Sequence, residues 1–374
     1  MSILSPKPKY YSLDRILKYN ADYNIIYGER SNGKTTAILR YALERHIESG
    51  YTSQLAIIRR WDEDFRGKNG KQMYDAIVSL GWIEDLTNGK YNNVYYQAKR
   101  WYLIRYSETG EKEEVATEPF AMGFSINSQE HYKSTSYPNV NVILFDEFIT
   151  RSQYLINEFI EFQNLLSTII RLRTDVIIFM CGNSVNKYCP YFNEMGISNI
   201  KKQQQGTIDI YTYGESDLKV AVEYTKPMGE KSKKSNKYFA FNNPRLQMIR
   251  DGGWEIDIYP HMPYRILPKE IGFIFYLVFD KDILQGEVIK HKDDKFVFFH
   301  RKTTPLKDDN TRLVYDTNIN VKRNYRTRID KPFSNMEKII YQLFALDKVF
   351  YQDNEVGEIV HNYLLWCQNA RLKS

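Results

Sequence analysis

The sequence has few of the residues that build disulfide frameworks or zinc sites. It contains 3 cysteines and 6 histidines in 374 residues. The cysteines (Cys181, Cys189 and Cys367) form no C-x-x-C pair, and the histidines show no H-E-x-x-H spacing. An odd number of cysteines in a chain of this size is typical of a reducing, intracellular setting. The composition therefore argues against a disulfide-stapled fold and against a zinc enzyme.

Long hydrophobic runs are also missing. The run GFIFYLVF is eight residues long, whereas a membrane-spanning helix needs about 20 apolar residues. The first residues, MSILSPKPKYY, lack the apolar core of a signal peptide. We therefore expect an intracellular protein with no membrane partner.

An excess of charge is absent from the first half of the chain. Basic and acidic residues balance over residues 1–200, so the whole net charge of +6 falls in residues 201–374. It is concentrated in runs such as KSKK (231–234) and KRNYRTR (322–328). Such runs form either a solvated face or a surface for a polyanion such as RNA or DNA.

What the sequence does contain indicates a folded protein with two domains. Hydrophobic residues make up 43% of the chain and aromatic residues 15%, and 374 residues are many for a single core. Buried-type strands alternate with amphipathic helices up to Tyr224, which predicts an α/β domain with a mainly parallel sheet between helices. Within it we expect a polar loop at 62–71, a long helix at 154–173 and a last strand at 206–214.

The remainder of the chain differs in composition and in its predicted secondary structure. The segment TKPMGEKSKKSNK is rich in Lys, Ser, Pro and Gly, as exposed linkers are. Strand-like segments and two helical segments follow, which predicts a small α+β domain. The predicted division is a nucleotide-binding domain at 1–225, a linker at 226–264 and a C-terminal domain at 265–374.

The segment YGERSNGKTT (27–36) carries the strongest motif. It has the form G-x-x-x-x-G-K-T between a predicted strand and a predicted helix, which is the context of a phosphate-binding loop. Glycines let backbone N–H groups converge on an anion, and the helix start adds a positive dipole end. Lys34 would reach the β- and γ-phosphates of ATP, and the Thr35 hydroxyl would bind Mg²⁺. The predicted nucleotide-binding residues are Gly28, Glu29, Arg30, Ser31, Asn32, Gly33, Lys34, Thr35, Thr36 and Asp146.

A second motif supplies what hydrolysis of a triphosphate needs. The apolar run of YPNVNVILFDEFI ends at Asp146 and Glu147. With Thr35, Asp146 would hold Mg²⁺, and Glu147 would act as general base on the attacking water. The alternative is a solvated acidic turn. Asn183 ends the next apolar strand, either as a sensor of the γ-phosphate or simply as a strand terminus.

Two arginines follow the predicted long helix. Charge that builds on the γ-phosphoryl group calls for a cation, which an arginine finger supplies. Arg171 and Arg173 are candidates, and the alternative is a pair of surface arginines.

These segments together resemble a known family. YGERSNGKT, IIRRW, KSTSYPNVNVILFDEFI, LLSTIIRLR, Asn183 and a nearby PYF resemble the DNA-packaging ATPase of small, protein-primed tailed phages, the phi-29-like group. The resemblance covers residues 10–195 well, and YPNV directly before FDEFI is its most specific part.

The resemblance implies an ATP- and Mg²⁺-dependent motor. It would form a homo-oligomeric ring, a pentamer by the family pattern, on the portal of an empty prohead in the host cytoplasm and drive double-stranded DNA inward, in some cases with a structural RNA. Arg171 would act on a neighbour's ATP, and Lys133 becomes a further interface candidate. The C-terminal domain would be an RNase H-like docking domain that has lost its acidic site; Asp257, Asp280 and Asp316 form no tight cluster in the sequence. The resemblance is weakest at the DNA channel, where candidate contacts are Arg66, Lys68, Lys71 and Arg151.

Two other functions remain open at this point. One is a different DNA-dependent P-loop enzyme, such as a helicase or helicase loader. The other is a capsid- or nucleic-acid-docking module that does not hydrolyse ATP.

Overall fold

The computed structural model describes residues 11–151, 154–214, 217–226, 254, 257–262, 265–306 and 311–371. The chain divides into two compact units, Met1–Trp254 and Glu255–Ser374. The segment 226–264 that we predicted as a linker lies mostly outside the described residues. Trp254, within that segment, stacks on Tyr27 of the first unit, with ring centroids 5.2 Å apart.

A single large sheet organises the first unit. In chain order its ten strands are β1 (Tyr23–Gly28), β2 (Gln54–Arg59), β3 (Asn93–Gln97), β4 (Arg100–Tyr106), β5 (Lys112–Val115), β6 (Ala121–Ser125), β7 (Val140–Asp146), β8 (Ile177–Asn183), β9 (Ile208–Tyr213) and β10 (Leu218–Tyr224). Their spatial order is β3-β4-β6-β2-β7-β8-β1-β10-β9, with β5 paired to β4. The pairs from β6 through β10 are parallel, and the outer pairs are antiparallel. The prediction of an α/β fold with a mainly parallel sheet is confirmed.

Helices cover both faces of this sheet. The described helices of the unit are α1 (Asp14–Leu17), α2 (Lys34–Glu48), α3 (Lys68–Gln72), α4 (Asp75–Ser79), α5 (Trp82–Leu86), α6 (Glu158–Ile170) and α7 (Pro190–Glu194). On one face α6 packs against Ile143 and Phe145 of β7. On the other face α2 packs against Val142 and Leu144. Because successive side chains of a strand point to opposite faces, β7 is apolar on both sides, and it is buried from Val142 to Asp146.

Three predicted elements differ from the structure. Residues 62–71 are not a loop: they form a 3₁₀ turn at Asp62–Phe65 and then α3, because buried Phe65 packs edge-on against Trp101. The helix predicted at 154–173 is shorter, since left-handed residues flank α6 at Asn157 and Arg171. The strand at 206–214 is not the last, because β10 follows it and pairs in parallel with β1.

The second unit is α+β, as predicted. Its described elements are β11 (Ile271–Phe279), β12 (Asp282–His291), β13 (Asp294–Arg301), β14 (Val314–Asp316), β15 (Tyr325–Arg326), α8 (Asn335–Ala345), β16 (Val349–Tyr351) and α9 (Asn354–Arg371). The sheet order is β15-β14-β11-β12-β13-β16. The three central strands form an antiparallel meander, and the flanking pairs are parallel.

No helix among the described residues of either unit has the length and apolar character needed to cross a bilayer.

Candidate functional site

The phosphate-binding loop lies between β1 and α2, as the motif predicts. Gly28 ends β1 with a φ of +148°, and Gly33 caps α2 in the left-handed conformation with a φ of +85°. A Cβ at position 28 would lie 2.1 Å from Thr225 Oγ1. Both positions therefore require glycine, because both have positive φ angles. At Gly28 there is also no room for a side chain next to Thr225.

The side chain of Lys34 folds over this loop. Its Nζ donates to the carbonyl oxygen of Glu29 at 2.5 Å and to Asn32 Oδ1 at 3.2 Å. Asn32 also accepts the backbone N–H of Lys34 and donates to Thr225. Lys34 is only 5% exposed, and burial lowers the pKa of its ammonium group. An anion bound at the loop would supply the counter-charge that this position favours.

Thr35 and Asp146 meet across the mouth of the loop. Thr35 Oγ1 donates to Asp146 Oδ1 at 2.9 Å. Asp146 is 6% exposed, and burial raises the pKa of its carboxyl group although the Arg59 guanidinium opposes the shift. A hydroxyl and a carboxylate are oxygen ligands of the kind that Mg²⁺ uses beside substrate phosphates. The donor set fits the predicted magnesium site.

Glu147 follows Asp146 in a left-handed backbone conformation, with a φ of +61°. Such angles are uncommon outside glycine and cluster at functional sites. The side chain is 64% exposed and lines the same cavity as Lys34 and Thr35. Glu147 is thus presented to the cavity from the end of a buried strand.

Arg59 contacts both carboxylates of the site, and our sequence prediction did not include it. Its Nη2 lies 2.7 Å from Asp146 Oδ2, and its Nη1 lies 2.7 Å from Glu147 Oε2. Burial opposes ionisation of Arg59, but the two carboxylates outweigh it and raise the guanidinium pKa. The signal in the sequence was the segment IIRR at the end of β2. Because β2 runs parallel to β7 with Ile58 opposite Phe145, the next residues of the two strands, Arg59 and Asp146, lie side by side.

Asn183 is also brought into the site. It ends β8 opposite Gly28 in the parallel register, and its Oδ1 accepts from Lys34 Nζ at 3.4 Å. Cys181, two residues earlier, places its Sγ 3.8 Å from Thr35 Oγ1. Burial raises the pKa of this thiol to about 12, so Cys181 is neutral near pH 7.

These side chains surround one cavity of about 210 Å³. Its lining includes seven of the ten predicted nucleotide-binding residues (Ser31, Asn32, Gly33, Lys34, Thr35, Thr36 and Asp146), together with Glu147 and Asn183. Gly28 does not line it. Glu29 is buried and Arg30 is exposed, and neither of them lines the cavity.

A second and larger cavity, of about 590 Å³, lies along the outer face of α2. Its walls include Tyr11, Ala37, Tyr41 and Trp82. The backbone N–H of Tyr11 donates to the carbonyl oxygen of Asn32 at 3.0 Å, and Ala37 directly follows Thr36 of the first cavity. The two cavities are therefore adjacent.

The predicted interface residues lie away from the phosphate cavity. Arg171 has a φ of +55° and donates from Nη2 to the carbonyl oxygen of Thr135 at 3.1 Å. Arg173 donates to the carbonyl oxygens of Tyr137, Val140 and Ile169. Lys133 is exposed and pairs with Glu130. Arg171 and Lys133 thus flank the same segment just before YPNV, and Arg173 is engaged with the backbone.

Three of the predicted DNA contacts, Arg66, Lys68 and Lys71, lie in or just before α3, and the fourth is Arg151. Arg66 is 69% exposed and lies 3.6 Å from Glu63 and 3.7 Å from Asp62. Lys68 and Lys71 are exposed on α3. Arg151 donates to the carbonyl oxygen of Val185 at 3.0 Å.

Two further predictions concern the second half of the chain. In the basic run 322–328, Arg326 pairs with Glu337 and Arg328 pairs with Asp330, while the run 231–234 lies outside the described residues. Among the described residues, no three His, Cys, Asp or Glu side chains come together to hold a metal ion. Asp257, Asp280 and Asp316 therefore build no acidic cluster there.

Comparisons with known proteins show what this chain is similar to. The sequence model of a family described as Podovirus DNA encapsidation protein (Gp16) matches residues 114–224, which include β7, α6 and β8. A DNA packaging protein of Bacillus phage phi29 is 28% identical over 189 residues, 50% of this chain and 50% of the relative. Another, of Bacillus phage B103, is 26% identical over 185 residues. The aligned segment spans about half the length of these curated relatives.

A solved structure extends the similarity to both units. A chain of the bacteriophage Phi-29 viral genome packaging motor assembly aligns with a TM-score of 0.52 and 19% identity. The alignment covers 96% of this chain and 99% of that chain, which shows a shared fold. The resemblance to the phi-29-like DNA packaging proteins that the motifs predicted is therefore confirmed.

Proposed function

We propose that this protein is an ATP-driven motor that moves double-stranded viral DNA into a prohead. The observation that carries the proposal is the single cavity that Lys34, Thr35, Asp146, Glu147 and Asn183 share. That set contains a phosphate-binding lysine, oxygen ligands for Mg²⁺ and a carboxylate for the attacking water. The similarity to DNA packaging proteins of Bacillus phages supplies the substrate that the cavity cannot specify.

Each residue has a separate role in the proposed hydrolysis of ATP to ADP and phosphate. Lys34 would neutralise the β- and γ-phosphates, and Thr35 with Asp146 would hold Mg²⁺, which neutralises charge on the phosphoryl group. Glu147 would orient and deprotonate the attacking water. Asn183 would bind the γ-phosphate or that water. Arg171 would stabilise the transition state in a neighbouring subunit of a ring.

The nucleobase fits the second cavity. An ATP whose phosphates lie at Lys34 would place its base about one or two helical turns along α2, where Tyr11, Tyr41 and Trp82 provide aromatic surfaces. The Arg40 guanidinium lies over the Trp82 ring, 4.5 Å from its centroid. This contact holds the ring in place at the side of the cavity.

The partners follow from the same proposal. The chain would act as a homo-oligomeric ring, a pentamer by the family pattern, at the portal of the prohead in the host cytoplasm, with or without a structural RNA. The second unit would serve as an RNase H-like docking domain that has lost its nuclease site, as the family resemblance implies.

Replacement of Lys34 with Ala tests the nucleotide site. We expect ATP affinity to fall by about 30-fold or more, because removal of one partner of a buried charge pair costs about 2–5 kcal/mol. Turnover should become undetectable. Fluorescent-nucleotide titration and phosphate release with double-stranded DNA measure both quantities, and Lys112→Ala, on exposed β5, is the control. Unchanged affinity in Lys34→Ala would refute the assignment of the phosphate site.

Replacement of Trp82 with Ala tests the nucleobase cavity. Stacking of a base on an aromatic ring contributes about 1–3 kcal/mol, so ATP affinity should fall by roughly 5- to 150-fold. Binding of inorganic tripolyphosphate, which has no base, should not change. Trp61→Ala is the matched control, because Trp61 is 42% exposed and lines neither cavity. An equal loss of affinity for both ligands would place the base elsewhere.

The choice of DNA substrate separates the motor from its alternatives. Stimulation of the ATPase by double-stranded DNA, together with binding to empty proheads, supports the motor. Preference for single strands or strand separation would favour a helicase. A protein that binds proheads without any turnover in the presence of DNA would be a docking module.

A further inference from the structure

A buried ion pair between Arg60 and Glu158 contacts the turn from Asp146 to Phe148, which we call the acidic turn. The Arg60 guanidinium binds the Glu158 carboxylate in a bidentate manner, with Nε to Oε2 at 2.7 Å and Nη2 to Oε1 at 2.8 Å. The side chains are 8% and 1% exposed. Replacement of a buried ion pair by apolar residues is often neutral for stability, so its presence is not explained by stability alone.

The remaining N–H groups of Arg60 hold the backbone of the acidic turn. Nη2 donates to the carbonyl oxygen of Phe148 at 3.0 Å, and Nη1 donates to that of Glu147 at 3.4 Å. Glu147 has a left-handed backbone, which a non-glycine residue keeps only when its surroundings impose it. Arg60 donates to two successive carbonyl groups at that position.

Glu158 is itself held rigidly. Its Oε1 accepts from the Tyr191 hydroxyl at 3.0 Å, and its Oε2 accepts from the Leu155 backbone N–H at 2.7 Å. The Tyr154 ring lies 4.9 Å from the Arg60 guanidinium. Burial opposes ionisation of Arg60, but the bonds to Glu158 outweigh it and raise the guanidinium pKa. The Arg60 guanidinium therefore stays charged, and the geometry of the pair is fixed by groups from several segments.

Arg59, the last residue of β2, and Arg60, which directly follows it, contact different parts of the turn at Glu147. Arg59 contacts the side chains of Asp146 and Glu147, whereas Arg60 contacts the backbone of residues 147 and 148. The side chains and the backbone of this turn are thus held by two adjacent arginines, of which Arg59 lies in β2 and Arg60 directly follows it.

We propose that Arg60 and Glu158 are positioning residues that hold the Glu147 backbone in the conformation that presents its carboxylate to the phosphate cavity. The proposal rests on the proposed function, in which Glu147 is the general base. A shift of about 1 Å in a catalytic group costs on the order of 100-fold in rate. Loosening the pair should therefore reduce kcat and spare nucleotide binding, because neither residue lines the cavity.

The test compares Arg60→Lys with the wild-type chain. Lysine keeps the charge but cannot bind Glu158 and both carbonyl groups with one planar fork. We expect kcat to fall by roughly 10- to 100-fold with ATP affinity unchanged within about twofold. Glu158→Gln, which keeps the shape and loses the charge, should lower kcat in the same direction. In a Glu147→Gln background, Arg60→Lys should cause no further loss of residual turnover.

Arg328→Lys in the second unit is the matched control. Arg328 is also 8% exposed and binds a carboxylate, Asp330, through Nε and Nη2 at 2.9 and 2.7 Å. It should leave kcat unchanged. Thermal unfolding of all variants separates loss of positioning from loss of folded protein.

The outcomes are distinguishable. A wild-type chain that does not hydrolyse ATP refutes the proposed function and with it this inference. An active wild-type chain in which Arg60→Lys and Glu158→Gln keep full kcat overturns the positioning role alone. Equal losses of kcat and ATP affinity, in step with a lower melting temperature, would show that the pair is merely structural and would also overturn it.

Discussion

Replacement of Glu147 with Gln is expected to lower ATP turnover by about 10²- to 10⁴-fold while ATP stays bound. This is the range that a positioned general base contributes, and glutamine fills the same volume without accepting a proton. Lys34 keeps its hydrogen bond to Asn32, and Thr35 keeps its hydrogen bond to Asp146, so the variant should hold ATP without consuming it. Single-turnover phosphate release with double-stranded DNA and a nucleotide titration measure the two quantities.

Glu113→Gln is the control for this experiment. Glu113 is a half-exposed glutamate on β5 that pairs with Arg105 and lines neither cavity. It should retain wild-type turnover. If Glu147→Gln keeps turnover within about twofold of wild type, another group activates the water.

Replacement of Arg171 with Ala is expected to reduce turnover in assembled rings by about 10³-fold or more, the contribution of an arginine finger. Arg171 does not line the phosphate cavity of its own chain, so the proposed role is on a neighbour's ATP. In rings mixed from wild-type and Arg171→Ala chains, activity should fall more steeply than the mutant fraction. Titration of the mutant fraction at constant total protein measures this dependence.

Arg105→Ala is the matched control for the finger. Like Arg171, Arg105 donates to a backbone carbonyl group, that of Gly89, and its side chain is 39% exposed. Its rings should keep their activity. A loss strictly proportional to the Arg171→Ala fraction would contradict action on a neighbour.

The sequence predicted those parts of the site that lie within one continuous segment. The phosphate loop is a strand, a turn and a helix start in ten residues, and its glycines and lysine are diagnostic together. Asp146 and Glu147 end an apolar run that could only be a buried strand. The closeness of Thr35 and Asp146 follows because parallel strands bring their carboxyl ends to one edge of a sheet.

Arg59 could not be assigned in the same way, because its role depends on register between strands that are distant in sequence. The letters RR at the end of β2 do not say that Ile58 lies opposite Phe145. The ends of α6 were missed for a related reason. Apolar spacing continues through residues 154–157, but Tyr154 packs on Arg60 and Asn157 turns left-handed, so tertiary contacts override the helical pattern. The 3₁₀ turn at 62–65 likewise depends on the packing of Phe65 against Trp101, which is distant in sequence.

The helix α6 joins two of the features described above. Glu158 is its first residue, and Arg171 is the residue at its C-terminal cap. A helix of 13 residues is a stiff rod about 20 Å long, so its ends cannot move independently. In the proposed ring, the conformation of the turn at Glu147 in one subunit would therefore be coupled to the position of Arg171 at the next subunit. In a ring, such a rod would set the order in which the subunits hydrolyse ATP. The state of one subunit's site would change the position of Arg171 at its neighbour, so no separate signalling element would be needed.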